Sequence, residues 1–189
     1  MKIKLFLDLE GTIARYTDSF TAWEDLMKSD KFQNMKLQKN LAEAIRIIKK
    51  DYSKQFELYL LCNLPFYDKR LIKERNQWID HHLPEIDFNH RFYLKREQRK
   101  EDFVKLHFGS VDWSTILLDD YRSNCVKWKK AGGISIHFVN ELVSEKGNYQ
   151  GEVIHYDNSP FFMISRLWTS VLTKPFTDSE VSNNIKRSL

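Results

Sequence analysis

The sequence contains only two cysteines, Cys62 and Cys125, and they lie in different segments without the spacing of a metal-binding motif. Free thiols of this kind are typical of a reducing compartment, and we expect the protein to be cytoplasmic. Apolar runs are only a few residues long, far too short to span a membrane. No charged and apolar leader precedes the first predicted strand, so we expect no secretion.

A strong excess of one charge is also absent, because 30 Lys and Arg residues stand against 26 Asp and Glu residues. This balance mildly favours anionic partners and does not predict binding to a nucleic-acid polymer. An apolar fraction of 42% instead predicts a well-packed globule. The chain has no internal repeat or low-complexity linker, so its 189 residues predict one domain with room for a small insertion.

Short apolar runs alternate with segments of helical periodicity, which predicts a mostly parallel sheet with helices on both faces. The predicted strands are residues 3–8, 57–62, 91–94, 114–118 and 134–139. Helices are predicted between them, one capped by Asn40, one starting at Asp68, and one stopped by Gly132-Gly133. The apolar segment 161–172 is predicted to dock as a further helix.

Two acidic residues, Asp8 and Glu10, end the first predicted strand and are followed by Gly11-Thr12. Alternate side chains of a strand share a face, so both carboxylates would point together from its carboxyl end. Open α/β sheets place ligand sites at that end. Two carboxylates there can perform phosphoryl chemistry, one as nucleophile and the other as proton carrier. The alternative is an acidic loop after an edge strand.

A second apolar strand, 114–118, also delivers carboxylates at its carboxyl end, those of Asp119 and Asp120. If the two strands are neighbours, several carboxylates converge, and a hard divalent cation would relieve their repulsion. Oxygen-only ligands favour magnesium, which binds substrate phosphate in phosphoryl transfer. A solvated acidic turn is the alternative for this pair.

These motifs, in their order and spacing, resemble the haloacid-dehalogenase-type phosphatases. The closer resemblance is to the 5′(3′)-deoxyribonucleotidase group, cytosolic type C, including its bacterial and phage relatives, and it extends from Lys2 to about Pro160. The runs that carry it are Asp8-Leu9-Glu10-Gly11-Thr12, Leu60-Leu61-Cys62-Asn63-Leu64-Pro65, Arg91-Phe92-Tyr93, Lys100-Glu101-Asp102-Phe103-Val104, Ile116-Leu117-Leu118-Asp119-Asp120-Tyr121, Asn124 to Trp128 and Gly132-Gly133.

The resemblance implies one Rossmann-like α/β domain over residues 1–189, with a small helical cap at about 14–36. The residues at about 177–189 are polar and are predicted to form a flexible tail. It implies a magnesium-dependent phosphomonoester hydrolase, most closely one that dephosphorylates pyrimidine deoxyribonucleoside monophosphates. The expected binding partner is a phosphorylated small molecule, and no binding to a membrane is expected. A homodimer is one of the possible oligomeric states. The alternatives are a phosphatase for another small metabolite and a non-catalytic nucleotide-binding or interaction protein.

The resemblance also assigns roles to individual residues. Asp8 would attack phosphorus, and Glu10 would protonate the leaving alkoxide, activate water and help to bind the metal through its carbonyl. Asp119 would be the acidic metal ligand, with Asp120 beside it. Lys100 would neutralise the phosphate and the nucleophile. Lys95 is the rival lysine, and a solvated helix face is the alternative for either one.

The sequence departs from the family pattern at two positions. Glu10 stands where the family usually has Asp, and Cys62 stands where the second strand usually ends in Ser or Thr. A thiol is a poor hydrogen-bond donor, so Asn63 or its backbone would take part of the phosphate-binding role. The alternative for Cys62 is a thiol in the core.

Specificity would come from the insertion after the first strand. Phe20, Trp23 and Phe32 are candidates to stack on a nucleobase. The competing interpretation is that these aromatics pack a core. Arg75, near the end of the second strand, could touch substrate, although a surface helix charge is the commoner role.

Overall fold

The computed structural model describes residues 2–16, 32–141 and 149–173. Within them, six parallel strands form one sheet in the order β5-β4-β1-β6-β7-β8. The strands of this sheet are β1 (Ile3–Leu7), β4 (Phe56–Asn63), β5 (Arg91–Leu94), β6 (Thr115–Asp119), β7 (Ile134–Val139) and β8 (Glu152–His155). The helices are α1 (Lys39–Asp51), α2 (Lys69–His82), α3 (Lys100–Phe108), α4 (Arg122–Lys130) and α5 (Pro160–Leu172).

The sheet has helices on both faces because its central strands are apolar on both sides. In β1, Leu5 and Leu7 pack in a core shared with α1, α2 and α5, while Phe6 packs in a second core with α3 and α4. Near-continuous apolar strands are expected in a parallel sheet covered on both faces. The predicted fold class is therefore confirmed.

Several boundaries differ from the sequence prediction. Helix α1 begins at Lys39, and Gln38 precedes it without a side-chain cap, so the predicted capping role of Asn40 is wrong. Helix α2 begins directly after the predicted start at Asp68, and the Asp68 side chain caps it by accepting from the backbone N–H of Arg70. The prediction missed β8, a short edge strand in which only Ile154 is fully buried, because it lacks a long apolar run.

The predicted cap, residues 14–36, is described only at its two ends. There β2 (Ala14–Arg15) and β3 (Lys36–Leu37) pair antiparallel, and a single 3-10 turn at Phe32–Asn34 precedes β3. Residues 17–31 and the predicted tail, 177–189, lie outside the described residues. The helical character of the cap stays a prediction. None of the described helices is both long and apolar enough to cross a membrane.

Candidate active site

The two predicted acidic strand ends lie side by side at the carboxyl edge of the sheet. Strands β1 and β6 are neighbours with Leu7 opposite Leu118, and the backbone N–H of Asp8 donates to the carbonyl of Leu118 at 3.0 Å. Asp119 is the last residue of β6. The parallel register therefore brings the carboxylates of Asp8 and Asp119 to one place.

Lys100, the first residue of α3, lies between these two carboxylates. Its Nζ is 2.5 Å from Oδ1 of Asp8 and 2.6 Å from Oδ2 of Asp119, and its side chain is buried. Lys95 is exposed, and its carbonyl accepts a hydrogen bond from Asn63. Of the two candidate lysines, the structure thus brings Lys100 to the acidic cluster.

The cluster strongly perturbs its own ionisation. Burial raises the pKa of Asp8 to about 8, with the charges of Asp119 and Glu10 adding to the effect and Lys100 opposing it. Burial alone would lower the pKa of Lys100, but its two carboxylate partners outweigh burial and raise it, so the lysine stays charged. Burial and the neighbouring carboxylates of Asp8 and Asp119 also raise the pKa of Asp120.

The raised pKa of Asp8 predicts that the stability of the unmutated protein depends on pH in metal-free buffer. The measurement is the melting temperature of the unmutated protein and of Asp8→Asn over a range of pH. An aspartate in an unfolded chain ionises near pH ~3.9, whereas Asp8 in the folded chain ionises at about 8. Between these values the unfolded chain binds fewer protons, so the free energy of unfolding falls as pH rises. Asparagine does not titrate. The melting temperature of Asp8→Asn relative to the unmutated protein should therefore rise from about pH 4 to about pH 8, and a pH-independent difference would contradict this.

Three carboxylates in the cluster are placed to hold a cation. Asp8, Asp119 and Asp120 each offer an oxygen, and these oxygens lie within 4.8 Å of one another. Lys100 supplies one positive charge against three carboxylates. The donors are all oxygens, which suit a hard divalent cation such as Mg²⁺. The residues present thus fit the predicted metal.

A hydrogen-bond network orients Asp120, and its key member, Asn140, was not predicted from the sequence. The Asn140 amide donates to Oδ2 of Asp120 at 3.1 Å and to the carbonyl of Gly11 at 2.8 Å. Thr12 Oγ1 contacts the other oxygen of Asp120 at 3.4 Å. Gly11 has a φ of +83°, and a Cβ atom there would lie 2.1 Å from Asp120 Oδ2. Glycine is therefore required at this turn.

Asp119 is held by donors on both of its carboxylate oxygens. Oδ2 accepts from Lys100 and from the side-chain amide of Asn124 at 2.9 Å, while Oδ1 accepts from the backbone N–H of Tyr121 at 2.8 Å. An amide in place of this carboxylate would put an N–H group against another donor. Asp119 therefore also stabilises the local structure.

Glu10 makes contacts that its sequence motif did not predict. Its Oε1 lies 2.7 Å from Nε and 2.6 Å from Nη2 of Arg75, and its Oε2 accepts from Cys62 Sγ at 2.8 Å. Arg75 comes from α2 and is completely buried, so the surface role considered for it is wrong. Its guanidinium lies over the ring of Phe32, 4.5 Å from the centroid.

These contacts correct two expectations about substrate binding. Phe32 is fully buried against Trp78 and Arg75, so it cannot stack on a nucleobase, and the core-packing alternative holds. The Cys62 thiol donates its hydrogen bond to Glu10 and not to a phosphate site. Burial, together with the charge of Glu10, raises the pKa of Cys62 well above its usual value, which keeps the thiol protonated. Phe20 and Trp23 lie outside the described residues.

Comparison with known proteins supports the fold that carries this site. No protein-family model and no curated protein sequence matches the chain. Among solved structures, the chain is similar to a D,D-heptose 1,7-bisphosphate phosphatase from Burkholderia thailandensis, with a TM-score of 0.59 and 11% identity over 88% of this chain and 99% of the other. A HAD family hydrolase from Deinococcus radiodurans R1, with bound phosphate and sodium, gives a TM-score of 0.57 and 12% identity over 93% and 99%. The chain has the haloacid-dehalogenase fold.

A third similar structure is a HAD-superfamily hydrolase, subfamily IA, variant 1, from Geobacter sulfurreducens PCA. Its TM-score is 0.52 at 10% identity, over 87% of this chain and 96% of that one. All three solved structures thus agree on the haloacid-dehalogenase fold, and their identities are too low to carry a substrate across.

In this haloacid-dehalogenase fold, a cleft of about 660 Å³ opens over the acidic cluster. Its floor includes Asp8, Glu10 and Asp119, and its walls include two tyrosines, Tyr16 and Tyr121, that were not predicted from the sequence. The other lining residues are Asn63, Arg96, Glu97, Gln98, Arg99, Glu101, Asp120, Asn124 and Lys127. The cleft therefore combines carboxylates at its base with cations and aromatic rings on its walls.

Asn63, predicted to help bind phosphate, has both amide hydrogens engaged. Its Nδ2 donates to the carbonyls of Lys95 at 2.9 Å and Gln98 at 2.8 Å. These bonds fix the loop that leads into α3 and so help to place Lys100. In this arrangement the side-chain amide has no hydrogen left to donate to a phosphate.

Proposed function

We propose that this chain is a magnesium-dependent phosphomonoester hydrolase that works through an aspartyl phosphate on Asp8. The observation that carries the proposal is the position of Lys100 Nζ, within hydrogen-bond distance of both Asp8 and Asp119 beneath an open cleft. A buried ammonium between a nucleophile and a metal-binding carboxylate is suited to offset phosphate charge. A purely structural ion pair would not need a cleft above it.

In the proposed reaction, a carboxylate oxygen of Asp8 attacks phosphorus as the ester P–O bond breaks. Glu10 gives a proton to the departing alkoxide, and later takes one from the water that attacks the phosphoenzyme and releases inorganic phosphate. Lys100 offsets charge on the phosphate. Magnesium, when bound by Asp8, Asp119 and Asp120, would supply further positive charge against the phosphate oxygens.

The proposed substrate is a deoxyribonucleoside monophosphate with a pyrimidine base. The support is the motif resemblance, together with a cleft whose volume of about 660 Å³ lies in the range typical of small-molecule sites. Tyr16 and Tyr121 on its walls could contact a base or a sugar, and Phe20 and Trp23 stay proposed base contacts. A phosphatase for another small phosphorylated metabolite uses the same chemistry with a different leaving group.

A second candidate is a non-catalytic protein that binds a nucleotide, and one observation favours it. Both carboxylate oxygens of Glu10 already have a partner, Arg75 for Oε1 and the Cys62 thiol for Oε2. A carboxylate in such a position is poorly placed to exchange protons with substrate unless one of these contacts changes.

The test is a phosphatase panel on the purified full chain. It compares deoxyribonucleoside monophosphates, ribonucleotides, sugar phosphates and an aryl phosphate, each with magnesium and with EDTA. We expect magnesium-dependent release of phosphate, with the highest kcat/KM on a pyrimidine deoxyribonucleotide. A preference for a sugar phosphate would contradict the proposed substrate but agree with the proposed reaction. Nucleotide binding without turnover of any phosphomonoester would favour the non-catalytic candidate.

A further inference from the structure

The two departures from the family motif, Glu10 and Cys62, are in direct contact. The Cys62 thiol is 2.8 Å from Oε2 of Glu10, and the other oxygen of Glu10 is held by Arg75. All three residues are buried, and they come from three different parts of the fold: the loop after β1, the strand β4 and the helix α2. The two departures are therefore not independent, because Glu10, Cys62 and Arg75 form a single buried cluster.

Arg75 binds Glu10 in an unusual way. Its Nε donates a hydrogen bond to Oε1, and Nη2 lies close to the same oxygen without hydrogen-bond geometry, instead of each nitrogen contacting a separate oxygen as in a fork-to-fork pair. The guanidinium is fixed from two other directions, by the ring of Phe32 and by the carbonyl of Leu71, which accepts from Nη1 at 3.2 Å. Arg75 is thus rigidly held and fixes one oxygen of Glu10 only.

The two oxygens of Glu10 differ in whether their partner can accept a hydrogen bond. The partner of Oε1 is Arg75, and the partner of Oε2 is Cys62. A guanidinium only donates hydrogen bonds, so a proton cannot be placed on Oε1 without displacing Arg75. A thiol can donate or weakly accept, so Cys62 can rotate when Oε2 gains a proton. Oε2 is therefore the oxygen that can bind and release a proton while Arg75 and the rest of the cluster stay in place.

We propose that Arg75 is a positioning residue for Glu10, and that it leaves Oε2, the oxygen facing Cys62, as the atom that carries the proton. This inference rests on the proposed function. In the first step the O–H bond at Oε2 breaks as the proton passes to the departing alkoxide. In the second step Oε2 takes a proton from the attacking water. Arg75 itself neither gains nor loses a proton.

The test is single-turnover formation of the phosphoenzyme with an alkyl phosphate and an aryl phosphate. An alkoxide leaves poorly without a proton, whereas an aryl oxide needs little help. Arg75→Met should slow phosphoenzyme formation from the alkyl phosphate by about 10²-fold, with KM little changed, and from the aryl phosphate by about tenfold or less. Lys73→Met is the control, because it removes an exposed charge from the same helix.

Arg75→Met leaves the Glu10 carboxylate buried without its cation, which puts folding at risk. The double variant Glu10→Gln/Arg75→Met removes both charges, so the role of Arg75 can be tested even if Arg75→Met does not fold. If Arg75 acts only through Glu10, the double variant should match Glu10→Gln in both rates. Cys62→Ser keeps a group that donates and accepts, so it should retain the leaving-group dependence of the unmutated protein.

Three results would overturn the role of Arg75. They are an Arg75→Met rate on alkyl phosphate equal to or above that of the unmutated protein, equal losses for both leaving groups, and a double variant much slower than Glu10→Gln alone. A failure of the proposed function looks different, because the unmutated protein would then turn over neither substrate.

Discussion

Replacing Asp8 with asparagine is expected to remove turnover, by about 10⁴-fold or more, without unfolding the protein. An amide cannot form the acyl phosphate. The amide oxygen can still accept from Lys100, which is 2.5 Å from Oδ1 in the unmutated chain. The measurement is steady-state phosphate release by the purified variant, with circular dichroism and melting temperature as folding controls.

The Asp8→Asn variant also separates the loss of turnover from the effect of the Asp8 charge on stability. Because burial raises the pKa of Asp8, its charged form is unfavourable in the metal-free fold. We therefore expect Asp8→Asn to be at least as stable as the unmutated protein in metal-free buffer at neutral pH. Phosphate release at the unmutated rate by a folded variant would exclude Asp8 as the nucleophile.

Removal of magnesium is expected to have the second large effect. EDTA should abolish turnover, and added Mg²⁺ should restore it. Asp120→Asn should weaken Mg²⁺ binding by about 10–100-fold, measured by calorimetry and as the Mg²⁺ dependence of turnover. An amide fits the surroundings of Asp120, because Asn140 can donate to its oxygen while its nitrogen faces the Thr12 hydroxyl.

Asp157→Asn is a matched control for this experiment, since Asp157 is an exposed acid in the loop between β8 and α5. It should leave Mg²⁺ binding unchanged. Asp119→Asn is a poorer choice, because the donors Lys100, Asn124 and the Tyr121 N–H surround that carboxylate and the variant would lose stability as well as metal. Unchanged Mg²⁺ affinity in Asp120→Asn would contradict the proposed ligand set.

The sequence predicts the sheet and the acidic cluster because both follow from local rules. An apolar run ending in a carboxylate identifies a parallel strand and the edge at which its ligand site lies. Asp8 and Asp119 meet as expected, because the register of β1 and β6 places their carboxyl ends together. Lys100 could be preferred over Lys95 only through the motif resemblance, since both lie in a strongly charged stretch.

The surroundings of Glu10 could not be predicted from the same rules. Arg75 follows Glu10 by 65 positions, and an arginine among the other charges of a helix gives no signal that it is buried. Asn140 directly follows the last predicted strand, and nothing in its sequence context distinguishes it from any other polar residue after a strand, because its bonds to Gly11 and Asp120 depend on tertiary structure. The wrong expectation for Phe32 has the same origin, because only the fold places its ring beneath Arg75.

The most direct test of the central claim is chemical trapping of the phosphoenzyme. The full chain is mixed with substrate and Mg²⁺, quenched in acid, and treated with borohydride, which reduces an acyl phosphate to an alcohol and releases phosphate. Peptide mass spectrometry should then find homoserine at position 8, only when substrate was present, and not in Asp8→Asn. Turnover without homoserine at position 8, or with the reduced residue elsewhere, would contradict the assignment of Asp8 as the nucleophile.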